Sequence, residues 1–299
     1  MLVLTPLSLA CATAAWEALY QASGLVLRFA TRRPGVVLDA DGASQEKLGD
    51  LGASYAGSFV HALIVTSRGL MHLIQLAHAP IEAKLMIPAD PADPWHAAAV
   101  TVEATSVIFL SYLLYDVVHV VLALARGDRR LGGLDTLAHH LGFITAASIC
   151  GPCRALPFAF GWLIVGEFSS VFLNVRWFLV TSGRGASALL RTTNVLFAVS
   201  FFLGRIVVRY AHLPPTTHIC PRLACISDER LSCCTQVCMF GFVHLFIHRE
   251  TMFATPGLCC SRPLLKLVLG MLVPAYCLNL VWMGKIVSMV RGGAAKKKT

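Results

Sequence analysis

Two adjacent histidines, His139 and His140, stand inside the stretch LDTLAHHLGFITAASI at 134–149, with Asp135 one turn before them. Imidazole titrates near neutral pH, so it can serve as general base, general acid or nucleophile, and a carboxylate beside it fixes its tautomer. The segment is apolar enough to sit in a bilayer, where ionisable groups are expensive and therefore mark candidate sites. A neutral His139 or His140 oriented by Asp116 or Asp135 could take a proton from an amine or hydroxyl, or accept an acyl group from a thioester donor. The developing oxyanion would need a donor, for which Tyr112, Ser170 and Asn174 are candidates. Adjacent helical residues point about 100° apart, so only one imidazole readily faces a given partner.

Helical wheels collect further polar residues. Ser58, His61, Arg68 and His72 fall within about 80° of one another, Tyr112, Asp116 and His119 share a face, and Glu167, Ser170 and Asn174 fall within about 60°. Asn279 and Trp282 lie three apart on a last segment, with Lys285 near its end. By depth, His61, Asp116, His119, His139, His140, Asn174, Asn194 and Asn279 occupy the same half of their segments, with Glu167 nearer the middle. Such coincidence predicts an internal polar chamber, because lipid-facing placement of so many polar groups is prohibitively costly. Ser58, Asn194 and Asn279 also read as plain interhelical hydrogen-bond partners, worth about 1 kcal/mol each. Arg176 lies about 180° from Glu167, so it is expected to snorkel to headgroups beside Trp177 at the chamber's edge.

The elements that position these residues follow from composition. With 56% apolar and only 14% charged residues, the chain reads as an all-α, polytopic transmembrane bundle. Windows long enough to span the hydrocarbon core fall at about 3–27, 52–78, 97–125, 134–150, 157–180, 192–213 and 264–290, giving seven spans. Cys233 to Ile247 is short for an eighth and reads better as re-entrant or interfacial. Seven spans put Arg28, Arg32, Arg33, Lys47, Arg126, Arg129, Arg130, Arg184, Arg191, Arg291 and Lys296 to Lys298 on one side, which the positive-inside bias makes cytosolic. The net charge of +9 is then topological, and no aromatic-interleaved basic stretch points to nucleic acid. An uncleaved first helix is favoured over a signal peptide ending near Ala14 or Ala15. The expected organisation is a first helix and polar loop at 1–50, one membrane domain at 51–291 with a Cys-rich insertion at about 214–262, and a basic cytosolic tail at 292–299.

Cys150, Gly151, Pro152 and Cys153 spell CGPC, but here they follow an apolar helix as a turn, which favours a loop or a local disulfide over redox chemistry. Seven of the 11 cysteines crowd the last long loop: Cys220, Cys225, Cys233, Cys234, Cys238, Cys259 and Cys260. Their spacing lacks paired CxxC, so no metal site is assigned and disulfides are the natural reading if the loop is luminal.

SYLLYDVVH at 111–119, LDTLAHHLGF at 134–143 and GEFSSVFLNVRWFL at 166–179 resemble the TLC-domain family of endoplasmic-reticulum membrane proteins, as do SFVHALIV at 58–65 and LNLVWMGKI at 278–286. The resemblance covers about 50–213 and 264–291. It implies that His139 and His140 match the catalytic histidine pair of the ceramide synthases in that family. A second ceramide-synthase motif, with His-Asp, a further Asp and then Glu, falls on Gly166, Glu167, Ser170 and Asn174, so its histidine and second aspartate are missing. The resemblance therefore implies a protein that binds or senses lipid and contributes to membrane lipid homeostasis. The alternatives are a ceramide-synthase-like acyltransferase using His139 and His140, and an endoplasmic-reticulum cargo receptor; no cofactor is expected, and acyl-CoA enters only if the chain is an acyltransferase. Membrane lipids are the expected partners. The ending Lys296, Lys297, Lys298, Thr299 resembles a dilysine retrieval signal, which would add a coat-complex contact and residence in the endoplasmic reticulum.

Overall fold

The computed structural model describes residues 4–31, 44–128, 130–206, 208–209, 234–235 and 262–295. It is an all-α membrane protein. The helices are α1 (Pro6–Thr31), α2 (Ser44–Leu76), α3 (Ile81–Leu85), α4 (His96–Ala125), α5 (Leu134–Cys150), α6 (Pro157–Val165), α7 (Phe168–Thr181), α8 (Ala188–Phe201) and α9 (Arg262–Ala295), with a π-helical turn at Phe202–Ile206. Val208–Arg209 and Cys234–Thr235 form a short antiparallel pair. The rest of the Cys-rich loop, the stretch considered as an eighth span and the Lys296–Thr299 tail lie outside the described residues.

Each of the seven apolar windows contains helix, but among the described residues the window at 192–213 is helical only through α8 and the π-helical turn to Ile206, after which Val208–Arg209 enters the strand pair. Among the described residues, four stretches, Leu51–Leu76, His96–Ala125, Pro157–Thr181 and Arg262–Met289, are long and apolar enough to cross a membrane. Helix α5 has 17 residues and so rises about 25 Å, slightly short of the hydrocarbon thickness. Helix α2 touches α1, α4, α6 and α7. Its approach to α6 requires glycine, since a Cβ on Gly69 would sit 2.8 Å from Ile164 and Val165 and 2.9 Å from the Gly161 carbonyl. Helix α1 is tied to α4 by Trp16 Nε1, which donates to Ser111 Oγ at 3.1 Å.

The window at 157–180 holds two helices rather than the expected one. Pro157 starts α6, where its missing N–H costs nothing. At the far end the amides of Gly166 and Glu167 bond three residues back, to Leu163 (3.2 Å) and Ile164 (3.1 Å), which tightens the chain into a turn before α7 begins. That turn aims Glu167 inward. It also lets the π-helical turn approach, with Gly204 O 3.7 Å from where a Gly166 Cβ would lie.

The connections at one end of the bundle are zipped together. Ile87 N donates to Arg154 O at 2.9 Å and Leu156 N to Leu85 O at 2.6 Å around an isolated Met86–Ala155 bridge. Arg154 and Leu156 both adopt positive φ, 49° and 63°, an uncommon conformation for side chains of this size. Of the two readings of CGPC, loop or local disulfide, the motif forms the turn after α5: Cys150 is a free thiol, so the two cysteines of the motif are not bonded to each other, and Cys153 is disulfide-bonded.

Candidate functional site

A cavity of about 470 Å³ opens between α2, α4, α5, α7, α8 and α9, at the end where Arg130, Leu131 and Gly132 connect α4 to α5. Helix α2 contributes Ser58 and His61, α4 contributes Tyr112 and Asp116, and α5 contributes His139 and His140. Glu167, Ser170 and Asn174 come from the turn and first half of α7. His140 Nδ1 stands 3.2 Å from Asp116 Oδ2, an ion-pair distance without aligned hydrogen-bond geometry. The His61 ring stacks on Tyr112 at 3.8 Å and 13°, 3% exposed, and His139 meets Phe143 and Trp282 edge-on at 4.6 and 5.0 Å. His61 Nε2 and His139 Nδ1 are buried and have no hydrogen-bond partner among the described residues. Buried polar atoms left unpaired are costly, so each is an available contact for a ligand.

Arg205 closes one wall. Its guanidinium donates to Glu167 Oε1 at 2.9 Å, to the Gly166 carbonyl at 3.1 Å and to Asn279 Oδ1 at 3.5 Å, and lies over the Phe201 ring. The break between α6 and α7 makes this possible, since a carbonyl at a helix end is free to accept from a side chain. Gly166, aligned by resemblance with a ceramide-synthase histidine, thus serves as the seat of an arginine. Ser170 Oγ donates to the other Glu167 oxygen at 2.7 Å, and Asn174 Nδ2 to Ser58 Oγ at 3.1 Å.

A second cavity, about 260 Å³, continues toward the opposite end between α4, α5, α6 and α9. Its wall is chiefly apolar, from residues such as Val102, Ala146, Leu163 and Met271. Phe109, His139 and Phe143 line both spaces, so the two cavities adjoin at His139 and these two rings.

The structure brings together Ser58, His61, Asp116, His139, His140, Glu167, Ser170, Asn174 and Arg176 around the first cavity. Asn279 stands just behind, holding Arg205. Two residues expected in the chamber point elsewhere. His119 Nε2 contacts Glu17 Oε2 on α1 at 3.0 Å, between the Tyr20 and Tyr115 rings. Asp135 accepts from Trp282 Nε1 at 3.2 Å and lies 3.5 Å from Lys285, so it ties α5 to α9 instead of orienting a histidine. Arg176 departs from the snorkelling expectation by donating to Asn194 Oδ1 at 3.0 Å, and Trp177 stacks on Tyr55 at 4.2 Å. The polar stripe on α2 divides, because Arg68 and His72 bond Thr105 on α4 at 2.6 and 2.8 Å, away from the chamber. Arg205 is the residue that wheel arguments missed; its signal was a lone arginine in the apolar run before residue 206. Among the described residues no group of His, Cys, Asp and Glu could hold a metal ion.

A family model described as the TLC domain matches residues 53–288. The chain belongs to the TLC-domain family. Among curated relatives, TLC domain-containing protein 4-B of Danio rerio is 30% identical over 159 residues, 53% of each chain. TLC domain-containing protein 4-B of Xenopus laevis is 28% identical over 118 residues, 39% of this chain and 44% of the relative. The chain thus spans about half the length of the curated relatives it matches. No solved structure matches. The TLC domain runs from α2 into α9 and contains the histidine pair, Arg205 and nearly all of both cavity walls, while α1 lies before it.

Proposed function

We propose that this TLC-domain protein binds a membrane lipid, with its polar head among the histidines and one chain in the adjoining apolar cavity, and through that binding contributes to membrane lipid homeostasis. The observation that carries this reading is the junction at His139, where a polar space and an apolar space meet inside one helical bundle. An amphipathic molecule satisfies both walls at once. Sites that take lipid-sized ligands combine a mostly apolar wall with a few placed polar groups, in volumes of about 300–1,000 Å³. Four cations, Arg130, Arg176, Arg205 and Lys285, line the polar space; Arg205 is held by Glu167, Lys285 lies 3.5 Å from Asp135 and Arg130 pairs with Asp128, so Arg176, bonded to the neutral Asn194, is the cation best placed to meet an anionic head. The positive-inside bias supports a polar mouth facing the cytosol, and the family resemblance supports residence in the endoplasmic reticulum.

A second reading, acyl transfer, draws on the ion-pair distance between His140 and Asp116. The carboxylate would stabilise the imidazolium formed as His140 takes a proton from an amine, and the adjoining cavity would hold the acyl chain of a thioester donor. One experiment separates the two. Purified, detergent-solubilised protein is incubated with a long-chain amine and a long-chain acyl-CoA, and both amide product and protein-bound lipid are quantified by native mass spectrometry. Lipid retained at about one molecule per chain, with no amide formed, supports binding. Amide formed by the native chain and lost in His140→Ala supports transfer, and neither product nor retained lipid overturns both.

A further inference from the structure

The far end of the apolar cavity carries two charged residues in an otherwise hydrocarbon-like wall. Glu103 on α4 is 8% exposed, and Arg154, from the connection before α6, brings Nη2 to 3.5 Å from its carboxylate. We infer that this pair, with the backbone bridge beneath it, is a fixed floor that sets the length of the lipid chain the cavity accepts; the inference rests on the lipid-binding reading above.

Four observations make the floor both unfavourable to hydrocarbon and hard to move. A methyl terminus advancing past the cavity's end meets a buried carboxylate and its guanidinium, which a hydrocarbon can only desolvate. The backbone under Arg154 is pinned on both sides, by Ile87 N donating to its carbonyl at 2.9 Å and by its own amide donating to Gly151 O at 3.0 Å. Arg154 and Leu156 hold positive φ, and strained backbone of this kind persists only where its surroundings over-determine it. Leu85, Ala155, Leu156 and Leu265 pack as one apolar cluster behind the connection, so the backbone that carries the half-exposed Arg154 is held from behind. Measured along α5, His139 at the top and Gly151 at the bottom both line the space and are twelve residues apart, about 18 Å of helix. A chain longer than this span would have to bend back or displace the ion pair.

A pocket that ends on a fixed wall discriminates by single methylenes, about tenfold or more for each that does not fit. The test uses the detergent-solubilised chain and an equimolar ladder of saturated fatty acids from lauric to behenic, with protein-bound species measured by native mass spectrometry. The native chain should show a sharp upper cut-off. Glu103→Ala removes the carboxylate and opens room for about two methylenes, so the cut-off moves to longer acids. Ala147→Leu, on the side wall, moves it to shorter ones, and Glu103→Gln, which keeps the volume, leaves it in place. Glu103→Gln and Ala147→Leu guard against misfolding, since the first, on α4, keeps the side-chain volume and the second, on α5, leaves the ion pair intact. A cut-off unchanged in both Glu103→Ala and Ala147→Leu, with fatty acid still bound, overturns the floor while leaving lipid binding standing. No fatty acid retained by the native chain overturns the binding reading and this inference together.

Discussion

Replacing Arg205 by methionine keeps much of the side-chain volume and strips a buried carboxylate of its counter-charge. Arg205 and Glu167 have side chains only 8% and 20% exposed, at 2.9 Å, and the same guanidinium satisfies the Gly166 carbonyl and Asn279. Removing one member of a buried ion pair costs about 3–5 kcal/mol, because the remaining charge is left desolvated. Interhelical hydrogen bonds within membranes run lower, about 1 kcal/mol each, so three lost contacts point to the same figure of about 3 kcal/mol. The pair itself need not be strongly stabilising: replacing both partners by apolar residues of similar volume is often neutral. Arg205→Met should therefore destabilise by about 3 kcal/mol, whereas Arg205→Met with Glu167→Leu should recover most of that loss. Reversible unfolding in mixed detergent micelles, followed by far-ultraviolet circular dichroism for the single, partner and double variants, measures the coupling. A single-variant cost below about 1 kcal/mol, or a double variant whose cost equals the sum of the singles, would refute the placement of Arg205 as the chamber's buried counter-ion.

Other expectations follow from individual contacts. Gly69→Val would drive a branched side chain into Ile164, Val165 and the Gly161 carbonyl, so it should cost at least about 1–3 kcal/mol in the same unfolding assay, while Gly57→Ala, with nothing within 4 Å of its Cβ, should be near neutral. Asp135→Asn should weaken the α5–α9 contact through Trp282 by about 1 kcal/mol and leave lipid retention unchanged, whereas Asp116→Asn should reduce retention; equal effects would contradict the separation of these two carboxylates. Cys150 lines the apolar cavity as a free thiol, so an apolar maleimide should label it slowly in lipid-loaded protein and faster after delipidation, as read by intact-mass analysis.

Much of this architecture was legible from apolar run length alone, because a bilayer leaves little choice but helix for such segments. The chamber was legible in part, and the parts that failed share a cause. Ser58 and His61, or Tyr112 and Asp116, lie close enough on their helices to face one space, but Arg68 and His119 share their wheel sectors and still turn to neighbours, Thr105 and Glu17. A wheel gives direction around one axis and not which helix stands opposite. Asp135 misled for the same reason, since its proximity in sequence to His139 carried no information about Trp282 on α9. Arg205 was hidden because its role depends on the break at Gly166, and that break is made by a local three-residue turn inside a window that hydropathy treats as continuous.

The central claim is that one lipid occupies the two cavities joined at His139. Native mass spectrometry of the purified full chain, released from detergent, tests it most directly when run beside Gly142→Phe, which places a ring in the apolar cavity where a Cβ has only Met271 nearby at 3.9 Å. The account predicts a single retained lipid per native chain, lost in Gly142→Phe although that variant remains folded by circular dichroism. Equal lipid retention by both proteins, or none by the native chain, would contradict it.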